Sequence, residues 1–87
     1  MPYHVEFTKR AARALRSLPT PIQTRIFSAI IALKVTPRPP GCKALADLHG
    51  QYRIRIGDYR IIYEIHDREL LIVVVLLGHR REIYKGL

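Results

Sequence analysis

Between Gln51 and Ile65 the side chains alternate in character around a two-residue break, and this constrains the chain more than any other feature. Tyr52, Ile54 and Ile56 alternate with Arg53 and Arg55. Gly57-Asp58 interrupts, and then Tyr59, Ile61, Tyr63 and Ile65 alternate with Arg60, Ile62 and Glu64. A period of two belongs to a strand with one buried face. A Gly-Asp pair between two such runs predicts a β-hairpin, and glycine at the first turn position favours type II′. If the loop is those two residues, Ile56 pairs with Tyr59, Arg55 with Arg60, Ile54 with Ile61 and Arg53 with Ile62. One face is then apolar and aromatic, and the other gathers Arg53, Arg55 and Arg60.

Like charges directly across a ladder repel. At about 5 Å the repulsion is roughly 1 kcal/mol in water and about 3 kcal/mol at an effective dielectric of 20. A domain of this length has a total stability of only about 4–13 kcal/mol. The cluster is therefore a burden unless the arginines splay into water or meet an anion. A surface of solvated arginines is the plainer reading, and an anion site is the functional one.

The rest of the chain predicts what covers the apolar face. Tyr3, Val5 and Phe7 alternate with His4 and Glu6 as in a short strand. Thr8 has the character of a helix N-cap, and Ala11, Ala12, Leu15 and Leu18 follow at helical spacing with Lys9, Arg10, Arg13 and Arg16 toward the other side. Pro19-Thr20-Pro21 breaks that helix and starts a second, with Thr20 expected as its cap and Ile22, Ile26, Ile30 and Leu33 as its buried stripe. Pro37-Arg38-Pro39-Pro40-Gly41 ends it in a loop. Leu70 to Leu77 is an unbroken apolar run rich in Ile and Val, as in an inner strand with two apolar faces. Helices cover one face, so part of the floor beneath the arginines is expected to be exposed until a partner covers it. Gly78 is expected to end the strand and deliver His79, Arg80 and Tyr84 near the arginine face. A basic tail with Tyr84 packed on the core is the plainer alternative.

The 87 residues give one α+β domain, 1–87, and a net charge of +8 with 48% hydrophobic residues. Such a field attracts polyanions, chiefly nucleic acid, or an acidic protein. The apolar run is far shorter than the roughly 18–20 residues of a membrane-spanning helix. Met1-Pro2-Tyr3-His4-Val5-Glu6 shows no cationic stretch followed by an apolar signal core, and Cys42 is the single cysteine, so a cytoplasmic location is expected. His4, His49, His66, His79 and Cys42 lack metal-ligand spacing. No glycine-rich nucleotide loop is present, and no metal or cofactor is expected.

At this point the sequence resembles the RelE/ParE superfamily of type II toxin–antitoxin toxins, and within it the RelE-like branch. The resemblance rests on the two-helix segment, Gly41-Cys42-Lys43-Ala44-Leu45, the stretch Tyr52 to Ile65, and Gly78-His79-Arg80-Arg81-Glu82-Ile83-Tyr84. It implies two N-terminal helices packed on one face of a small, mainly antiparallel twisted sheet. It also implies ribosome-dependent, metal-independent cleavage of messenger RNA in the A site by 2′-hydroxyl attack, which inhibits translation. A cognate antitoxin would neutralise the toxin, and operator DNA would be bound only by the toxin–antitoxin complex.

The family's catalytic positions fall here on Arg53, Arg55, Arg60, Arg80 and Tyr84. Arg53 and Arg55 double as RNA-binding residues, joined by Lys43, His79 and Arg81. Two strand positions that are lysine in well-known RelE members are arginine here. Arginine stays protonated, so the proton acceptor is open between His79 and no base at all, with positioning alone carrying the reaction. Two other classes of function are a ParE-like toxin that inhibits DNA gyrase without catalysis, and a basic nucleic-acid-binding module.

Overall fold

The computed structural model describes residues 2–45 and 50–83, with side chains as far as residue 81. The chain runs β1 (His4–Phe7), α1 (Lys9–Ser17), α2 (Thr20–Leu33), β2 (Lys43–Ala44), β3 (Gln51–Ile56), β4 (Tyr59–His66), β5 (Leu71–His79) and α3 (Arg80–Ile83). One sheet has the order β1-β5-β4-β3-β2. β1 lies parallel to β5, and every other pair is antiparallel. The expected α+β architecture, two helices on one face of a mainly antiparallel sheet, is the one observed.

The hairpin forms in the register that its sequence dictates: Ile56 faces Tyr59, Arg55 faces Arg60, Ile54 faces Ile61 and Arg53 faces Ile62. Gly57 has φ 60°, and Asp58 is not among the residues at positive φ, the pattern of a type II′ turn. The apolar face packs under the helices. Ile26, Ile30 and Leu33 from α2 and Ala11 from α1 are buried against Ile61, Tyr63, Ile65, Ile72, Val74 and Leu77. Ile22 is half-buried against the same cluster.

β5 carries a bulge that a period-two pattern cannot announce. Ile62 pairs with Leu76 but Tyr63 pairs with Val74, so Val75 is an extra residue. An extra residue reverses the alternation, which lets Leu77, Val74 and Ile72 all face the helices while Leu76 and Val75 turn to the other side. Thr8 holds this place. Its Oγ1 donates to Val75 O (2.7 Å) and accepts from Ala11 N (3.1 Å), and its amide donates to Val74 O (3.0 Å). The N-cap of α1 is thus also the clasp on the bulge.

Three sequence expectations are corrected. Thr20 is the first residue of α2 and not its cap, because the carbonyl of Pro19 takes the first helical bond from Gln23 N (2.9 Å). The Gln23 side chain then ties the helices together by donating to Arg16 O and Leu18 O. Secondly, β5 runs on through Gly78 to His79, because β4 continues to offer it a ladder.

Thirdly, the apolar floor beneath the arginines is largely closed: Ile62 and Leu76 are buried, with Leu45 and Val75 packed on them. Lys43 pairs with Arg53, so Leu45, two residues on, reaches the same face and covers Ile62. The large hydrophobic residues exposed among those described are Leu70 and a row on α2 and its end, Phe27 (49%), Ile31 (43%) and Val35 (79%).

Thr8→Val keeps the shape of the side chain and removes both of its hydrogen bonds. It is expected to lower unfolding free energy by about 1–2 kcal/mol in urea titration. An unchanged midpoint would mean that the bulge is held by packing alone.

Candidate nucleic-acid interface

The β2–β3–β4 register lays out the face turned away from the helices in rows. In one, Lys43 stands across from Arg53 and Arg53 across from Ile62; in the next, Arg55 stands across from Arg60 and Arg60 across from Gly78. Lys43 and Arg55 are exposed, and Arg53 and Arg60 are half-buried. The Nε of Arg60 is itself buried, so this guanidinium rises from within the sheet surface and is more constrained than a flexible rim charge.

Gly78 completes the second row without a side chain. A Cβ there would meet no atom within 4 Å, so packing does not demand glycine; what it leaves is an uncovered place beside Arg60. Arg80 begins α3, and its amide donates to Asp58 O (2.8 Å) in the hairpin turn. That bond pins the exposed Arg80 at the end of the sheet where Arg55 and Arg60 lie. Arg81 is exposed one residue further on.

Two acidic residues bear on this surface, Asp58 in the hairpin turn and Glu64 on β4. Glu64 shares the arginine face, but it is four residues along β4 from Arg60, about 13 Å at strand rise. His66 Nε2 contacts its Oε1 (3.0 Å), and Gln51 donates to its Oε2 (3.0 Å). Those bonds hold the Glu64 carboxyl below its usual range. Among the described residues no group of three or more His, Cys, Asp and Glu side chains comes together.

His79 does not join the arginines. It pairs with Tyr59, whose side chain packs with the helix-facing cluster, and the two rings meet edge to face at 5.6 Å. The expectation that His79 reaches the arginine face fails because β5 continues to His79 and, beyond the bulge, places it on the helix side. Its Nδ1 accepts from Arg81 N (3.2 Å). Tyr84 lies outside the described residues.

With this geometry in place the relationships of the chain become informative. Residues 5–84 match the family model described as the ParE toxin of the type II toxin-antitoxin system, parDE. The chain belongs to the RelE/ParE family of toxins. Toxin RelG of Mycobacterium tuberculosis is 34% identical, over 98% of this chain and 99% of its own length.

The crystal structure of the toxin–antitoxin complex RelBE2 from the same organism superposes with a TM-score of 0.79 at 34% identity, covering 92% of this chain and 100% of that one. The archaeal RelE–RelB complex from Pyrococcus horikoshii gives 0.81 at 30% identity, covering 92% and 97%. The family model carries the ParE name, while these relatives fall on the RelE side. No helix among the described residues of this RelE-like chain is long and apolar enough to cross a membrane.

A second polar cluster, gathered around Asp67, escaped sequence reasoning. Arg38 grips Asp67 with both terminal nitrogens (2.9 and 3.3 Å), donates from Nε to Tyr52 Oη (3.1 Å) and lies 5.1 Å from the Tyr52 ring centre. Tyr3 Oη donates to Asp67 (2.6 Å), and Tyr63 Oη to Pro37 O (2.8 Å). The proline-rich loop is thereby tied to β3, to β4 and to the β4–β5 turn, which Tyr3 also holds from just ahead of β1. Only the hairpin register, which sets Tyr52 across from Tyr63, hinted at it.

The hydrogen bond from Arg38, then that from Tyr3, holds the Asp67 carboxyl below its usual range. The bond to Asp67 raises the Tyr3 phenol in turn, and burial, first of all, pushes the Tyr63 phenol well up. A carboxyl lowered on folding adds stability above its unfolded pKa, and that stability is lost as pH falls through the folded value. Stability is therefore expected to drop in acid below the ordinary carboxylate range, with Asp67→Asn flattening that drop. Denaturation midpoints taken between neutral pH and pH 3 measure it, and an equally steep fall in the variant would remove Asp67 from the account.

The Arg55–Arg60 pair generates a different expectation. Arg55→Gln relieves a like-charge contact and should raise stability by up to about 1 kcal/mol at low salt. A lower melting temperature would show that the pair is not repulsive.

Proposed function

We propose that this chain is a ribosome-dependent, metal-independent messenger RNA endoribonuclease that cuts in the A site, inhibits translation and is neutralised by a cognate antitoxin. The observation that carries this reading is the row of Arg55 and Arg60 ending at the open place beside Gly78, with Arg80 tied to the adjoining turn. A phosphate is the natural occupant of such a row, since guanidinium forks match its oxygens and its charge relieves their repulsion.

In the reaction the 2′-oxygen attacks phosphorus, the bond to the 5′-oxygen breaks, and a 2′,3′-cyclic phosphate and a 5′-hydroxyl result. The nucleophile belongs to the RNA, so the protein's tasks are alignment and charge stabilisation. Arg60 and Arg80 hold the scissile phosphate and its growing charge. Arg53 and Arg55, with Lys43 and Arg81, grip flanking phosphates and ribosomal RNA. Tyr84 stacks on a base or takes part in proton transfer.

Glu64 lies about 13 Å along β4 from Arg60 and His79 stands on the helix side, so neither is assigned as the base. This reading therefore assigns the acceleration to positioning and electrostatics, with the 2′-hydroxyl proton passing to water and a solvent proton reaching the 5′-oxygen. The cytoplasm, where ribosomes translate, is the corresponding location.

The antitoxin follows from relatives that are seen in RelB–RelE complexes and from a net charge of +8, which suits an acidic partner. Operator DNA would be met only through that complex.

Arg60→Ala and Arg80→Ala are each expected to lower cleavage at least a hundredfold, about 2.7 kcal/mol of transition-state stabilisation, while folding and antitoxin capture persist. Mapping transcript ends in a translating extract with and without added toxin measures this. Intact transcripts combined with loss of DNA supercoiling by gyrase would overturn the reading in favour of gyrase poisoning.

A further inference from the structure

On the helix side of the hairpin, an open cleft of about 410 Å³ lies between α1 and the ends of β4 and β5. Arg10, Ser17, Leu18, Tyr59, Gly78 and His79 are among its lining residues. Ligand sites begin at about 300 Å³, so the space suits a single nucleotide and not a helix. Sequence reasoning assigned Arg10 only to the outer side of α1 and Tyr59 only to the apolar face.

The lining divides by chemistry into parts that a nucleotide would use. Leu18 and Leu77 make an apolar floor, and Tyr59 adds an aromatic ring. Arg10 brings a cation at the α1 side. Ser17 Oγ donates its hydrogen to Ala14 O (2.7 Å), which leaves the oxygen as an acceptor. With Nδ1 of His79 accepting from the Arg81 amide (3.2 Å), the neutral ring carries its hydrogen on Nε2, as a donor. Ring, cation, donor and acceptor are the groups that recognise a base and its phosphate.

The cleft also adjoins the arginine face at the backbone of Gly78. Tyr59 and Arg60 are consecutive on β4, so one side chain enters the cleft and the next stands on the open face. Gly78 lines the cleft and lies directly across from Arg60. The two surfaces meet at this end of the sheet, with no side chain on Gly78 to separate them.

We infer that this cleft receives one nucleotide of the RNA flanking the scissile phosphate, with its base on Tyr59, its base edge read by His79 Nε2 and Ser17 Oγ, and its phosphate on Arg10. The strand's path rests on the ribonuclease reading; the cleft's capacity for a nucleotide does not. Such a site makes the sequence around the cut depend on residues outside the arginine row.

The test is titration of the four nucleoside 5′-monophosphates into the isotope-labelled chain, followed by NMR, together with transcript-end mapping. The ring signals of Tyr59 and His79 are expected to shift, with dissociation constants that differ severalfold among the bases. Arg10→Gln should weaken binding about tenfold. His79→Gln should alter the base distribution next to the cut.

Nucleotides that shift only the signals of Arg53, Arg55 and Arg60 would overturn the inference. So would an Arg10→Gln chain that loses antitoxin affinity but keeps nucleotide affinity, since the cleft would then be a protein-docking surface. Base-selective binding in the cleft without any transcript cleavage would uphold the site and reject the ribonuclease reading. Cleavage with an empty cleft would do the reverse.

Discussion

The register of the β3–β4 hairpin is the constraint on which the remainder of the structure depends. Gly57 turns the chain at φ 60°, a conformation glycine adopts without the Cβ penalty that other residues meet. A slip of one residue would exchange the two faces of a strand. Tyr52, Ile54 and Ile56 would then leave the core and Arg53 and Arg55 would enter it, unpaired and desolvated, at a cost exceeding the stability of so small a domain. The same bond geometry that protects the core therefore also assembles the cationic surface. Fold and candidate site are two faces of one register.

β5 completes both. Its bulge at Val75 keeps Val74 and Leu77 under the helices while it turns Leu76 and Val75 to pack with Ile62 and Leu45. The arginines thus stand on a small apolar floor of low polarisability, which strengthens their interaction with an anion relative to water. Past the bulge, the strand sends His79 to the helix side and brings Arg80 to the hairpin turn. One inserted residue, clasped by Thr8, decides which of two neighbouring side chains faces which surface.

Stability and binding pull in opposite directions on the open face. Arg55 and Arg60 share a ladder position there, and on the other side of the sheet helix α1 adds Lys9, Arg10, Arg13 and Arg16 with no acid in its first turn. Ion pairing among the described residues is concentrated elsewhere, in Arg38 with Asp67 and in the histidine contacts to Glu6 and Glu64. The Arg38 clamp fixes the proline-rich loop at the far end of the sheet from Arg55 and Arg60. This is the charge arrangement of a protein whose repulsion is relieved by a bound polyanion or acidic partner.

Much of this was legible in the sequence, because strand alternation and turn chemistry are local. Two alternating runs and Gly57-Asp58 determined the hairpin register, the apolar face, and the grouping of Arg53, Arg55 and Arg60. The N-cap at Thr8 and the stripe Ile26, Ile30, Leu33 followed from helical spacing. Only the tertiary structure decided the side taken by His79, the burial of Ile62 beneath Leu45, the grip of Arg38 on Asp67, and the cleft joining Arg10 to Tyr59. Each depends on segments distant in sequence, and on a bulge stabilised by a threonine 67 residues away. A bulge has no signature in a continuous run of Ile, Val and Leu, since every side chain there suits either face.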